Sequence, residues 1–181
     1  QNLPQAHTIL RLIKQCVQIA TPGMALLGEA IVAPKEIMKY FGTGIHTAKE
    51  CDLAYNATHM ALLWDGLATG DTRVMLAAQH ELLQKPFGTS WITYTRCHDD
   101  IGLGYDDYMI QHAGFNPFDH RKFLKDYYAG TFEGSPARGA LFSVNTKTND
   151  ARISGSLASL CGLEKALEEN NAASIELSMK K

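Results

Sequence analysis

Three short apolar segments, each followed by a helix-forming stretch, constrain this chain more than any other feature. Met24-Ala25-Leu26-Leu27-Gly28 ends in a single acid, Glu29; Pro34 then opens a helical stretch through Ile37, Met38 and Phe41, which Gly42-Thr43-Gly44 breaks. Asp52-Leu53-Ala54-Tyr55 is a second short strand. It leads into Ala57 to Ala68 and Thr72 to Leu83, two helical stretches rich in Ala, Leu and Met with a Gly70-Asp71 joint. After the turn Lys85-Pro86-Phe87-Gly88, the β-branched and aromatic run Trp91-Ile92-Thr93-Tyr94-Thr95 predicts a third strand, ending in Arg96-Cys97-His98-Asp99-Asp100. Strands alternating with helices at this spacing predict an α/β fold with parallel β/α units.

The flanks are helical or irregular. Ile9, Leu10, Ile13, Cys16, Val17 and Ala20 recur at the three-and-four spacing of one helix face, and Thr21-Pro22-Gly23 stops that helix. From Gly102 to Ile153 the regularity lapses into Gly and aromatic residues, apart from a helical patch around Pro117 to Tyr128. A stretch of that length in a compact domain is usually functional. From Ser154 the tail is helix-forming again, with Leu157, Leu160, Leu163 and Leu167 along one side.

Seventeen basic against nineteen acidic side chains leave a net charge of −2, too little of either sign to attract nucleic acid or an anionic membrane. No run approaches the eighteen or so apolar residues that a membrane span needs. The expectation is a soluble chain with a weakly charged partner. Cys16, Cys51, Cys97 and Cys161 lie far apart in apolar stretches, without metal-ligand spacing; they are expected to be buried, reduced thiols, which points to the cytoplasm. Gln1-Asn2-Leu3-Pro4 has neither an initiator Met nor a signal-peptide pattern, so the chain is expected to be part of something longer.

Chemistry is sought at the carboxyl ends of the strands, the rim where parallel β/α folds bind ligands. Glu29 follows the first strand; His98, Asp99 and Asp100 follow the third. Any one of these acids could be only a helix cap or a solvated rim charge. Acids at two strand ends also suit glycosidic bond chemistry, in which one carboxyl protonates the leaving oxygen while another stabilises or attacks the cationic sugar carbon. Glu29, alone after its strand, is the better proton donor of the set. Asp106, Asp107 and Asp119 form no ladder of alternating oxygen ligands, and the other histidines have no metal-binding spacing, so no metal is expected. Trp64 and Trp91 read as core residues.

Glu29-Ala30-Ile31-Val32-Ala33-Pro34, Arg96-Cys97-His98-Asp99-Asp100-Ile101-Gly102 and Asp150-Ala151-Arg152-Ile153-Ser154-Gly155 resemble three motifs of the amylosucrases, in the α-amylase superfamily (glycoside hydrolase family 13). Asn2-Leu3-Pro4-Gln5-Ala6-His7 and Met60-Ala61-Leu62-Leu63-Trp64 fit the same family, and the resemblance covers nearly the whole chain. It implies a partial (β/α)8 barrel over residues 1–101, about strands five to seven. A subdomain shaping the active-site pocket would follow over 102–153, with a return to barrel helix over 154–181. It further implies that Glu29 is the general acid/base, Asp99 the transition-state-stabilising acid and His98 a sugar-binding neighbour, while Asp100, Arg121 and Arg152 line the sucrose and acceptor subsites.

The implied activity is glucosyl transfer from sucrose to an α-glucan, without a cofactor. Two departures accompany the resemblance. The nucleophilic aspartate is expected just upstream of Gln1, so the isolated chain is not expected to complete a double displacement. Leu103 stands where the family usually has an aromatic residue. The rival expectations are a sucrose hydrolase, α-glucosidase or α-amylase of the same superfamily, and a non-catalytic carbohydrate-binding or structural fragment. Outside the resemblance, Arg121 and Arg152 read as surface cations.

Overall fold

The structure, a computed structural model, describes residues 2–103 and 105–181, the Leu82 side chain excepted. It divides into two compact units, one of residues 2–59 and 79–94, the other of 60–78 and 95–181. The fold is α/β, and each unit carries one small sheet.

In the first unit, strands β1 (Leu27–Gly28), β2 (Leu53–Tyr55) and β3 (Ser90–Ile92) form a parallel sheet in chain order. Leu27 pairs with Leu53, Ala54 with Trp91 and Tyr55 with Ile92. The three strands expected from the sequence are therefore present, shorter than the apolar runs that announced them. Ala54 is fully buried against Ile37 and Phe41, with Ala30, Val32, Met38 and Trp91 packed around them. Phe41 meets the Trp91 ring edge-on at 5.3 Å. Pro34 begins α2 (Pro34–Ile37), its fixed φ and missing N–H costing nothing in a first turn, and a 3₁₀ turn over Met38–Phe41 brings Phe41 inward.

Helix α1 (Pro4–Ala20) is held chiefly by charge. Lys14 is its one buried residue, and its Nζ lies 2.5 and 2.6 Å from the two Asp52 oxygens. Asp52 also accepts from the Leu26 amide at 2.7 Å, which ties the start of β2 to the residue before β1. His7 Nδ1 lies 2.7 Å from Glu50 Oε2. The apolar face expected to pack instead leaves Ile9, Ile13 and Cys16 exposed, with Leu10 and Val17 half-buried. The Lys14–Asp52 ion pair and the His7–Glu50 contact set the helix rotation that apolar periodicity was expected to set.

In the second unit, β4 (Ile101–Gly102), β5 (Ala140–Phe142) and β6 (Arg152–Ser154) form an antiparallel sheet in the order β4-β6-β5. Ile101 and Leu141 both face Ile153 across the ladder. Helices α5 (Asp107–His112) and α6 (Pro117–Tyr128) lie between β4 and β5, and α7 (Leu157–Cys161), α8 (Leu163–Glu168) and α9 (Ala172–Met179) follow β6. Asn116 caps α6 by accepting from the amides of Phe118 and Asp119 at 3.0 and 3.1 Å, immediately before Pro117. The stretch expected to be irregular is thus partly ordered, with α6 where the sequence placed it and α5 and the sheet not foreseen. Leu103 is fully buried, its amide donating to the Ala151 carbonyl, which makes it a core residue of this unit.

Helices α3 (Ala57–Thr69) and α4 (Arg73–Leu83) contribute to both units. Trp64 of α3 is buried in the second unit, meets the Tyr128 ring edge-on at 5.6 Å, and accepts a bond from the Tyr128 hydroxyl at its carbonyl. Among the described residues, no helix is long and apolar enough to cross a membrane. The cysteines are free thiols, but only Cys51 is buried; Cys97 and Cys161 are half-buried and Cys16 is exposed, because its face of α1 is not packed.

Candidate active site

Glu29 directly follows β1, at the carboxyl end of a parallel strand. Its position is fixed from both sides. Gly28 before it is buried where an added Cβ would lie 3.2 Å from Cys51 Sγ, so this strand end accepts only glycine without displacing the thiol. Ala30 and Val32 after it pack on the Ile37–Phe41–Ala54 core. Between these anchors the Glu29 side chain is exposed.

The other five candidates belong to the second unit. His98, Asp99 and Asp100 sit on the segment that runs from Thr95 to β4. It is held at its start by the Trp64 indole N–H, which donates to the Thr95 carbonyl at 2.8 Å, and at its end by Ile101, buried against Ile153. Arg96 braces the middle, donating from Nε to the Gly155 carbonyl at 3.0 Å and from a terminal nitrogen to the Cys97 carbonyl at 2.8 Å. On this braced segment His98 is exposed and Asp99 half-exposed, with Nε2 and Oδ1 3.6 Å apart; Asp100 is half-buried. An imidazole beside a carboxylate on a constrained, solvent-facing loop offers a donor and an acceptor to a hydroxyl-rich ligand, and a negative charge to a developing cation.

Arg152 is exposed on β6, opposite Phe142 and Gly102. Arg121 is placed differently from a subsite-lining cation. It is buried on α6, donates at 2.8 Å to the Tyr105 carbonyl, and lies 2.5 Å from Asp107. Its buried Nε has no partner among the described residues. Both terminal nitrogens are engaged within the unit, so Arg121 fastens α6 to the segment that opens α5.

Sequence reasoning missed a polar network next to it. Asp65 of α3, 1% exposed, accepts from the Tyr105 hydroxyl and from His120 Nε2, the latter at 2.7 Å. His120 stacks on Phe115, and the Arg73 guanidinium lies 4.5 Å above the same ring. Burial, with the Asp65 charge beside it, pushes the Tyr105 phenol well above its ordinary range. The sequence held one signal for this network: His120, Leu124 and Tyr128 share a helix stripe at spacing four, and a histidine on a buried stripe needs a partner.

No family model matches the chain. It is 24% identical over 102 residues, 56% of its length, to the glucosylglycerate phosphorylase of Escherichia coli strain K12. Over 103 residues, 57% of its length, it is 25% identical to the trehalose synthase/amylase TreS of Mycobacterium tuberculosis and 24% identical to that of Mycolicibacterium smegmatis. The matched region is 17–18% of those proteins, so the chain spans less than a fifth of the curated relatives it matches. These similarities support the α-amylase superfamily, glycoside hydrolase family 13. They do not single out the amylosucrases or sucrose.

Proposed function

We propose that this chain is part of the catalytic barrel of a retaining, amylosucrase-like enzyme that takes glucose from sucrose and passes it to an α-glucan. The observation that carries the reading is Glu29 at the carboxyl end of a parallel strand, in a sheet whose spatial order is its chain order. The similarity to a phosphorylase and a trehalose synthase/amylase supports the same class of chemistry.

In this reading β1 to β3 are strands five to seven of the barrel, residues 102–153 are the subdomain that shapes the pocket, and 154–181 return to the barrel. Glu29 donates a proton to the leaving fructosyl oxygen, and its carboxylate then takes one from the incoming sugar hydroxyl. Asp99 stabilises the positive charge on the sugar carbon, His98 hydrogen-bonds the sugar, and Asp100 and Arg152 line the sucrose and acceptor subsites. Arg121, which the resemblance placed in the same lining, is held by Asp107 and the Tyr105 carbonyl. The nucleophilic carboxylate is assigned to a segment outside this sequence. No cofactor enters the scheme.

A second reading, transfer of the glucosyl unit to another acceptor, is favoured by the names of the two relatives. The test is product analysis with the full-length natural protein, given sucrose alone, sucrose with phosphate, and maltose. Insoluble glucan with fructose supports the first reading. A glucosyl phosphate or a rearranged disaccharide supports the second, and glucose with fructose indicates a hydrolase. Glu29→Gln should cost 10²- to 10⁴-fold in kcat, the usual worth of a general acid/base. Rates near the parent's would remove Glu29 from that role, and absence of turnover in the parent would leave a non-catalytic binding protein.

A further inference from the structure

Arg96 joins two of the segments that the sequence singled out. Its Nε donates to the carbonyl of Gly155, fifty-nine residues away at the end of the 150–155 segment, and its terminal nitrogen donates to Cys97, next to His98. A guanidinium is a rigid planar fork, so two bonds to main-chain carbonyls fix both the distance and the angle between the strands of chain it bridges. The Gly155 end is itself closely packed. An added Cβ there would lie 2.8 Å from Leu160 Cδ2 and 2.8 Å from Ser159 Oγ, which shows how closely α7 packs on this carbonyl. Ser156 caps α7 by accepting from the Ser159 amide at 3.0 Å, and Leu160 is buried. Arg96 therefore ties the His98–Asp99 loop to the residue just before the capped, closely packed start of α7.

We propose that Arg96 is a positioning residue that sets the placement of His98 and Asp99 by clamping their loop to Gly155; this rests on the reading of those two side chains as sugar-contacting groups. Losing the fork frees the loop between Thr95 and Ile101. A displacement of about 1 Å at such a site costs on the order of 10²-fold in rate. A lysine can reach one of the two carbonyls but cannot span both, so it restores part of the effect.

The experiment uses the full-length natural protein and its Arg96→Met and Arg96→Lys variants, with two readouts: kcat for glucosyl transfer, and hydrogen exchange of the peptides covering 95–103 and 117–128. Arg96→Met is expected to lose about 100-fold in kcat and to exchange at least about fivefold faster over 95–103, with 117–128 unchanged. Arg96→Lys should lose about tenfold. Parental exchange over 95–103 in Arg96→Met overturns the clamp, whatever happens to activity. Faster exchange with an unchanged kcat overturns the positioning role and leaves the proposed function standing. A parent without glucosyl transfer sinks the proposed function, and the exchange data still decide whether Arg96 holds the loop. If Arg96→Met does not fold, Arg96→Lys carries the same readouts, and parental values for both overturn the proposal.

Discussion

Replacing Asp65 by Ala should destabilise the second unit by about 4 kcal/mol. Asp65 is 1% exposed and receives hydrogen bonds from the Tyr105 hydroxyl and His120 Nε2, while Thr69 donates to its main-chain carbonyl at 2.8 Å. Ala removes the acceptor for two buried donors. Each bond to a charged acceptor is worth about 1.5–3 kcal/mol, and breaking a buried pair by deleting one partner costs about 3–5 kcal/mol; we therefore expect about 4 kcal/mol for Asp65→Ala. Asp65→Asn keeps the shape and one acceptor oxygen, and should cost roughly half as much. The assay is urea unfolding followed by Trp64 fluorescence in a Trp91→Phe background, since the chain has two tryptophans and Trp64 is one residue from the perturbation. With a slope of about 2 kcal/mol per M urea, the expected midpoint shifts are about 2 M for Ala and about 1 M for Asn. A shift below about 0.5 M for Asp65→Ala at unchanged slope would refute the claim that this network holds the unit together.

Thiol labelling should separate the cysteines. Burial, with Glu50 and Asp52 beside it, pushes the Cys51 thiol up to about 11 from its ordinary 9.0, so at pH 8 its thiolate fraction is about 100-fold below that of an ordinary thiol. Iodoacetamide followed by peptide mass spectrometry should find exposed Cys16 labelled well before Cys51, and equal rates would contradict this. Alkali should weaken the second unit through Tyr105. The folded state keeps a proton that the unfolded chain releases near the ordinary value of 10.0, so this contribution is intact below about pH 10 and declines as pH rises beyond it. Urea midpoints measured from pH 8 to 11.5 should fall at the alkaline end, less steeply in Tyr105→Phe, and a profile unchanged by that substitution would count against the reasoning. Gly155→Ala should cost about 1–3 kcal/mol by overpacking against Leu160 and Ser159, read as a lower thermal midpoint; an unchanged midpoint would mean that α7 can yield.

What could be read from the chain alone divides along the range of the interactions involved. Strands β1 to β3 and helix α6 are announced by local signals: short apolar runs between turns, and Asn116-Pro117 opening a helix. Strands β4 to β6 are two or three residues long, no shorter than β1 to β3, but β4 meets its partner β6 across some fifty residues, beyond the reach of any local window. The rotation of α1 was misjudged for a related reason. Apolar periodicity counts a lysine as outward, but Lys14 is buried because Asp52 lies thirty-eight positions away, where no local window reaches it. Glu29 and His98-Asp99 were singled out because they follow apolar runs in chain order, whereas Arg121, read outside the resemblance as a surface cation, is buried and bonded to Tyr105 and Asp107.

The same reasoning shows how the hidden network could have been found. Asp65 shares its helix face with buried Ala61 and neighbours buried Trp64, and His120 shares one with buried Leu124 and Tyr128. A charge-capable residue on a buried stripe costs several kcal/mol unless it is paired, so two such residues on two different stripes should be sought as each other's partners. Here that rule joins α3 to α6 across fifty-five residues. It also explains why Tyr105 is the third member: a carboxylate oxygen accepts more than one bond, and burial leaves no water to supply the second. Burial patterns around ionisable residues therefore carry long-range information that apolar periodicity discards, and in this chain they would have located the buried aspartate of the second unit.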